Sequence, residues 1–363
     1  MNSVLPSSRS LAYVTPTSAE LLLRCPLRLS FAIETSPVSM GSPATWIGDA
    51  AHFSLEQLVL EGGLWNQSPG EEATRLFDEE IARRVGGGDK DMLDRYGVDP
   101  KSWPGFAIKR ARLAKVAQRL ARLLENVSPD RILPEVDYSA FDGRLRGRAD
   151  LVVDAPQLHA VADYKTGRVV DEEHEPLPAY ERQVRLYCAM EEERAGSFPT
   201  VGWLIPFDGP MVEVHIDVAI CRALAEEALD GLSSYNDQAP GPQPARVSTD
   251  NCPTCPYSPV CPSFWSTPRE GLTEGVEALR GVVREIRRVQ LGGTSLLVEP
   301  STSTIERMGS ILVRNILQKD HPAIEAVTEG GLVSLVGLVA EAERGTYRLG
   351  RGGHMRVSRT EVG

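Results

Sequence analysis

Arg144-Leu145-Arg146-Gly147-Arg148-Ala149-Asp150-Leu151-Val152-Val153 and, a short turn later, Leu158-His159-Ala160-Val161-Ala162-Asp163-Tyr164-Lys165-Thr166-Gly167 decide how this chain is read. Residues 131–141, 144–154 and 158–165 are rich in Val, Leu, Ile and Tyr, and polar turns such as Asp142-Gly143 separate them. They are expected to form three strands of an antiparallel meander. Asp150 falls inside the second strand beside the apolar run Leu151-Val152-Val153. Asp163 and Lys165 are two apart on the third, so they share a face. If these strands pair across the turn near 155–157, Asp150 and Asp163 converge. Two carboxylates at a strand bend make an oxygen-rich pocket for a hard divalent cation. A lysine beside them can help activate water and stabilise charge on a phosphorus under attack. A D-x-K tripeptide alone is also an ordinary surface ion pair, so its surroundings decide.

Upstream, Thr17-Ser18-Ala19-Glu20 has capping-box spacing ahead of Leu21-Leu22-Leu23, which predicts a helix start and a break before Pro26, at Cys25. Apolar residues at three- and four-residue spacing predict helices near 46–61, 70–86 and 105–127. Gly48 and His52 share a face of the first of these. His52 is a candidate ligand that favours Mn²⁺-like ions, or a satisfied core histidine. Downstream, a helix over 178–194 carries Gln183 and Tyr187 four apart on one face. A hairpin is expected across Asp208-Gly209, from 201–207 to 211–218, and then a helix over 218–235. Residues 238–251 form a Pro/Gly-rich linker. Beyond about 270, short apolar runs separated by glycines predict a small β-rich domain.

The 363 residues are 42% hydrophobic and 25% charged, which excludes a disordered or collagen-like chain. No run approaches the roughly 20 apolar residues of a membrane span, and the N-terminus lacks the pattern of a secretory signal. The chain is therefore expected in the cytoplasm, with no membrane partner. The net charge of −11 opposes nucleic acid at long range. That excess lies before Arg269, and the rest is close to neutral. Arg344, Arg348, Arg351, Arg356 and Arg359 form a late basic run with two open readings, a solvated tail or a phosphate-facing surface. Three of six cysteines crowd together as Cys252, Cys255 and Cys261, and Cys25 is the natural fourth. Such a set suits zinc or an iron–sulfur cluster better than a disulfide framework. Cys188 and Cys221 read as core residues.

Taken together, G-x-x-x-H (Gly48, His52), G-R-x-D (Gly147, Asp150), D-Y-K-T-G (from Asp163) and Q-x-x-x-Y (Gln183, Tyr187) occur in an order that resembles the RecB-type branch of the PD-(D/E)XK nuclease superfamily, over roughly residues 15–265. The resemblance implies an α/β (α+β), restriction-endonuclease-like core with a mixed central sheet flanked by helices. It implies a nuclease domain over 1–267 and a β-rich, OB-like accessory domain over 268–363 that could bind single strands. His52, Asp150, Asp163 and the Tyr164 carbonyl would ligate Mg²⁺ or Mn²⁺. Lys165 would be the catalytic lysine, and Gln183 and Tyr187 would orient it or the substrate. Glu135 is a looser match to an acidic position of the family. In an iron–sulfur subset, similar to the AddB nuclease domain and a CRISPR-associated adaptation exonuclease, one cysteine before the core and three after it hold a [4Fe–4S] cluster. Here these are Cys25, Cys252, Cys255 and Cys261. The implied activity is a metal-dependent deoxyribonuclease, an exonuclease preferring single strands, in repair, recombination, CRISPR adaptation or defence. The resemblance implies a helicase or other repair or defence proteins as partners, or action alone; the chain has no G-x-x-x-x-G-K-[ST] loop and so does not carry that motor itself. The alternative is a non-catalytic, cluster- or zinc-stapled DNA-binding scaffold on the same fold.

Overall fold

The structure is a computed structural model that describes residues 5–34, 42–88, 90–267, 277–288, 293–305, 309–318, 320–343 and 345–358. The chain divides into two compact units. One comprises Ser10–Leu23 and Met40–Asp237, and the other Met1–Arg9, Arg24–Ser39 and Gln238–Gly363. The β-rich segment after 268 is thus grouped with both cysteine segments.

The first unit holds a five-stranded sheet in the order β1 (Ile132–Ala140), β2 (Leu145–Ala155), β3 (Leu158–Lys165), β4 (Val201–Pro206) and β5 (Val212–Val214). The first three strands are the expected antiparallel meander, and β3 and β4 are parallel. A parallel pair needs a crossover, which helix α7 (Pro178–Ala195) supplies. Helices α3 (Pro43–Leu60), α4 (Pro69–Gly87) and α6 (Phe106–Leu123) bury Ile47, Leu55, Phe77, Leu113 and Leu120 with Leu151, Val153, Ala162, Tyr164 and Ile205 of the sheet. Each Leu, Ile, Val or Phe among them taken out of water stabilises the fold by about 1.5–3 kcal/mol. The remaining helices of this unit are α1 (Pro16–Arg24), α5 (Lys90–Tyr96) and α8 (Val218–Asp237).

Two local expectations are corrected. The cap of α1 is made by Thr15 and Ser18, not Thr17 and Glu20: Thr15 N–H donates to Ser18 Oγ at 2.7 Å, and Ser18 N–H to Thr15 Oγ1 at 3.1 Å. Pro16 at the first helical position fixes that start, and Glu20 instead binds Arg182. The second arm of the 201–218 hairpin is cut to three residues. Asp217 accepts the Ile220 N–H at 3.0 Å and caps α8, so the chain leaves the sheet early.

The second unit contains α2 (Pro26–Glu34), the short α9 (Pro262–Ser266) and a closed barrel of β6 (Glu277–Arg288), β7 (Gly293–Ser303), β8 (Ile311–Leu317), β9 (Leu332–Ala340) and β10 (Thr346–Ser358). Going round the barrel, β6, β7, β8, β10 and β9 follow one another, and only β8 and β10 run parallel. This is the five-stranded OB arrangement. Gly281 stands at a register shift, where a Cβ would lie 2.1 Å from the Glu299 carbonyl oxygen, so only glycine lets these strands close. Arg348, Arg351 and Arg356 belong to β10, so the basic run is not a tail; Arg344 and Arg359 lie outside the described residues. No helix among the described residues is long and apolar enough to cross a membrane.

Candidate active site

The β1–β2 ladder pairs Pro134 with Leu151 and Val136 with Ala149, which sets Glu135 opposite Asp150. The β2–β3 ladder ends at Leu151 and Ala162, so Asp150 and Asp163 are the next residues on strands that have begun to part. Three acids therefore occupy one row across the sheet. The hairpin kinks at this row, and Glu135 has φ +49°, a left-handed conformation costly for a non-glycine residue. The strand faces also exchange there. Ile132, Leu151 and Val153 pack with α3, α4 and α6. Farther out, Tyr138 bonds Glu191 of α7, and Gly147 lies against Tyr187 and Met190 of α7. A Cβ on Gly147 would come 3.1 Å from the Tyr187 ring.

The parted strands leave Asp150 with two partners. Its Oδ1 is 3.2 Å from His52 Nδ1 of α3, and its Oδ2 accepts the Tyr164 N–H at 2.5 Å. His52 also meets the buried Tyr164 ring edge-on, with centroids 5.9 Å apart. Lys165 Nζ pairs with the Asp163 carboxylate and donates to Gln183 Oε1 at 3.0 Å. It also lies 5.0 Å from the centroid of the Tyr180 ring. Gln183 in turn hydrogen-bonds the buried Tyr187 hydroxyl. Arg148 Nε pairs with Glu135 at 2.6 Å. His52, Glu135, Arg148, Asp150, Gly48, Glu56 and Thr166 line one open cavity of about 660 Å³.

Charge crowding shifts the groups here. Burial and the neighbouring Asp150 raise the Glu135 carboxyl to about 7, against the pull of Arg148. Burial raises Asp163 to about 6, with Asp150 adding to the rise and Lys165 opposing it. Burial alone would lower the His52 imidazole. The hydrogen bond and charge of Asp150, helped by Asp163, outweigh that, so it lies above its ordinary value. Burial likewise raises the Tyr187 phenol.

The structure thus brings His52, Asp150, Asp163, Tyr164, Lys165, Gln183 and Tyr187 into one region of one unit. Among the described residues, no three His, Cys, Asp or Glu side chains stand close enough to grip one ion as they are placed. The donor chemistry nevertheless suits a hard divalent cation: carboxylates that repel one another, with an imidazole beside them. Sequence reading missed Tyr180, which its position one turn before Gln183 could have signalled.

The chain matches the family model of the PD-(D/E)XK nuclease superfamily over residues 13–262. It belongs to that superfamily. PD-(D/E)XK proteins are generally hydrolytic nucleases that typically use divalent metals, and a nuclease domain implies a nucleic acid substrate. A comparison with curated proteins returns no significant match. The PD-(D/E)XK match spans both cysteine segments. Cys25, Cys252, Cys255 and Cys261 line a single narrow pocket of about 20 Å³, with Phe31 and Tyr257 stacked beside it, their ring centroids 5.1 Å apart. Burial raises the Cys252 thiol, and raises that of Cys261 to about 11. Four cysteines suit a thiolate-bound metal group by donor type and number, but as placed no three of them stand close enough to share one ion, so holding such a group requires them to rearrange.

Proposed function

We propose that the protein is a divalent-metal-dependent deoxyribonuclease of the RecB type, acting as an exonuclease on single-stranded DNA. The observation that carries this reading is the meeting of His52, Asp150 and the Asp163–Lys165 pair, from α3, β2 and β3, at one bend of the sheet. His52, Asp150, Asp163 and the Tyr164 carbonyl would hold the cation. When bound, it would polarise the phosphodiester and lower the pKa of an attacking water. Lys165 extends its ammonium group toward negative charge that grows on the phosphoryl oxygens during attack. Such a group is worth most where it is pre-oriented, and Asp163, Gln183 and Tyr180 hold it from three sides. Tyr187 fixes Gln183. The 660 Å³ cavity beside Asp150 gives the scissile group access.

The cysteine order supports the iron–sulfur subset, with a [4Fe–4S] cluster on Cys25, Cys252, Cys255 and Cys261 acting as a staple. All six cysteines are unpaired, which suits a reducing cytoplasm. The OB arrangement supports single-strand binding by the barrel, and a helicase partner accords with work at DNA ends in repair, recombination, CRISPR adaptation or defence. The test is digestion of end-labelled single- and double-stranded DNA. The expected outcome is Mn²⁺- or Mg²⁺-dependent shortening from an end, faster on single strands and stopped by chelator. An intact substrate in both metals, with DNA still bound, would favour the non-catalytic scaffold. Anaerobically purified protein is expected to absorb in the visible and to release iron with sulfide; zinc without iron would remove the cluster.

A further inference from the structure

Beyond Asp150, strand β2 continues outward past Arg148 and Arg146. Gly147 faces α7, so its two neighbours face the other way. Arg148 reaches the cavity that His52 and Asp150 line. Arg146 stands two residues, about 7 Å, farther along the same face. The ladder with β3 has ended here, and Val14 takes the vacated edge: its N–H donates to the Arg144 carbonyl, and it accepts the Arg146 N–H, both at 2.9 Å. That bridge sets Tyr13 beside Arg146, whose guanidinium lies 4.8 Å from the centre of the Tyr13 ring. Tyr13 is 43% exposed, unusual for so large a ring. Arg148 is engaged by Glu135, with Asp137 opposite it in the ladder. Among the described residues the Arg146 side chain makes no ion pair, and its guanidinium donates one hydrogen bond, to the Gly143 carbonyl.

Two guanidinium groups one nucleotide step apart, ending at an exposed aromatic ring, match a single strand better than a duplex. The phosphates supply the charge and an unstacked base supplies the face. The rest of the cavity wall carries Asp49, Glu56, Glu135 and Asp150, and its other arginine, Arg84, is held by Glu80 and Asp49, so the cationic contacts left for phosphates run along β2. We propose that Arg148, Arg146 and Tyr13 form a landing track for one single nucleic-acid strand, guiding it to Asp150. This rests on the nuclease reading and adds the route by which the strand reaches the site.

The test is fluorescence anisotropy with a labelled single-stranded DNA oligonucleotide and the full chain, without Mg²⁺ or Mn²⁺, over a salt series. Arg146→Ala and Tyr13→Ala are each expected to weaken binding about tenfold. Arg146→Ala should also reduce the slope of log affinity against log salt by about 0.7, whereas Tyr13→Ala leaves that slope unchanged. Arg222→Ala, which removes an exposed arginine paired with Glu192 on α8 and α7, is the control and should bind as the wild type does. Arg146→Gln serves if alanine lowers the melting temperature. Wild-type affinity in both track variants, or equal losses in Arg222→Ala, overturns the track. Hydrolysis of bis(p-nitrophenyl) phosphate by the wild type separates the two levels. A wild type that cleaves this small diester but binds no single strand sinks the track alone, and one that does neither sinks the nuclease reading with it.

Discussion

Lys165→Ala is expected to lower the rate of DNA cleavage by about 10³ or more while far-UV circular dichroism and melting temperature stay close to those of the wild type. The size follows from the role proposed for the ammonium group: a pre-oriented donor aimed at developing charge is commonly worth about 10²–10³ in rate, and help in activating water would add to that. The fold should survive because Lys165 stands at the end of β3, bonded to side chains rather than packed in the core. Asp163→Asn should remove cleavage as completely, since it keeps the shape of the side chain and discards its charge. Binding of single-stranded DNA should change less than threefold in either variant, which separates a chemical role from a binding one. Full activity in either would remove both residues from the mechanism.

The largest stability effect is expected at Glu191, which the mechanism does not use. Its side chain is fully buried, and its carboxylate accepts hydrogen bonds from Tyr138 at 2.9 Å and from Arg194 at 2.6 and 2.7 Å, and meets His159 at 2.9 Å. Burial alone would raise its pKa. Hydrogen bonds from Arg194, His159 and Tyr138 outweigh that and hold it below its ordinary value. Glu191→Ala would strand a buried phenol and imidazole and half-release an arginine, at a cost of about 3 kcal/mol, measurable as a drop in urea midpoint at constant slope. The pH dependence has a definite sign. A carboxylate with a depressed folded pKa contributes stability above its unfolded value, near 4.5, and loses that contribution as the pH falls through the folded value. The gap between wild type and Glu191→Ala should therefore be widest near neutrality and close in acid.

How much of this was legible in the sequence follows from the range of each interaction. The meander over 131–165 and helix α7 were readable because alternation and helical spacing are local signals. The contact of Lys165 with Gln183 was not readable that way; the family resemblance implied only that Gln183 orients the lysine or the substrate. Nor was the kink at Glu135. A positive φ at a glutamate is imposed by the tertiary bend, and no residue type announces it. The exchange of strand faces at that row was hidden for the same reason, and with it the outward direction of Arg146 and Arg148. The cap of α1 was misjudged by two residues because Thr17 and Glu20 also satisfy the spacing rule, and Pro16 decides in favour of Thr15. The late arginines left a tail open beside a phosphate-facing surface because β10 is rich in glycine and carries few apolar residues. It becomes a strand only by closing a barrel that β6 to β9 have already built.

Direct binding tests the shared cation at His52, Asp150 and Asp163 more closely than any rate. Mn²⁺ binding can be followed by the loss of the free-ion electron paramagnetic resonance signal, for wild type beside Asp150→Asn and His52→Ala. Saturable binding by the wild type is expected, weakening at least tenfold in Asp150→Asn and measurably in His52→Ala, with the fold intact. Equal Mn²⁺ affinity in all three proteins would contradict a shared cation.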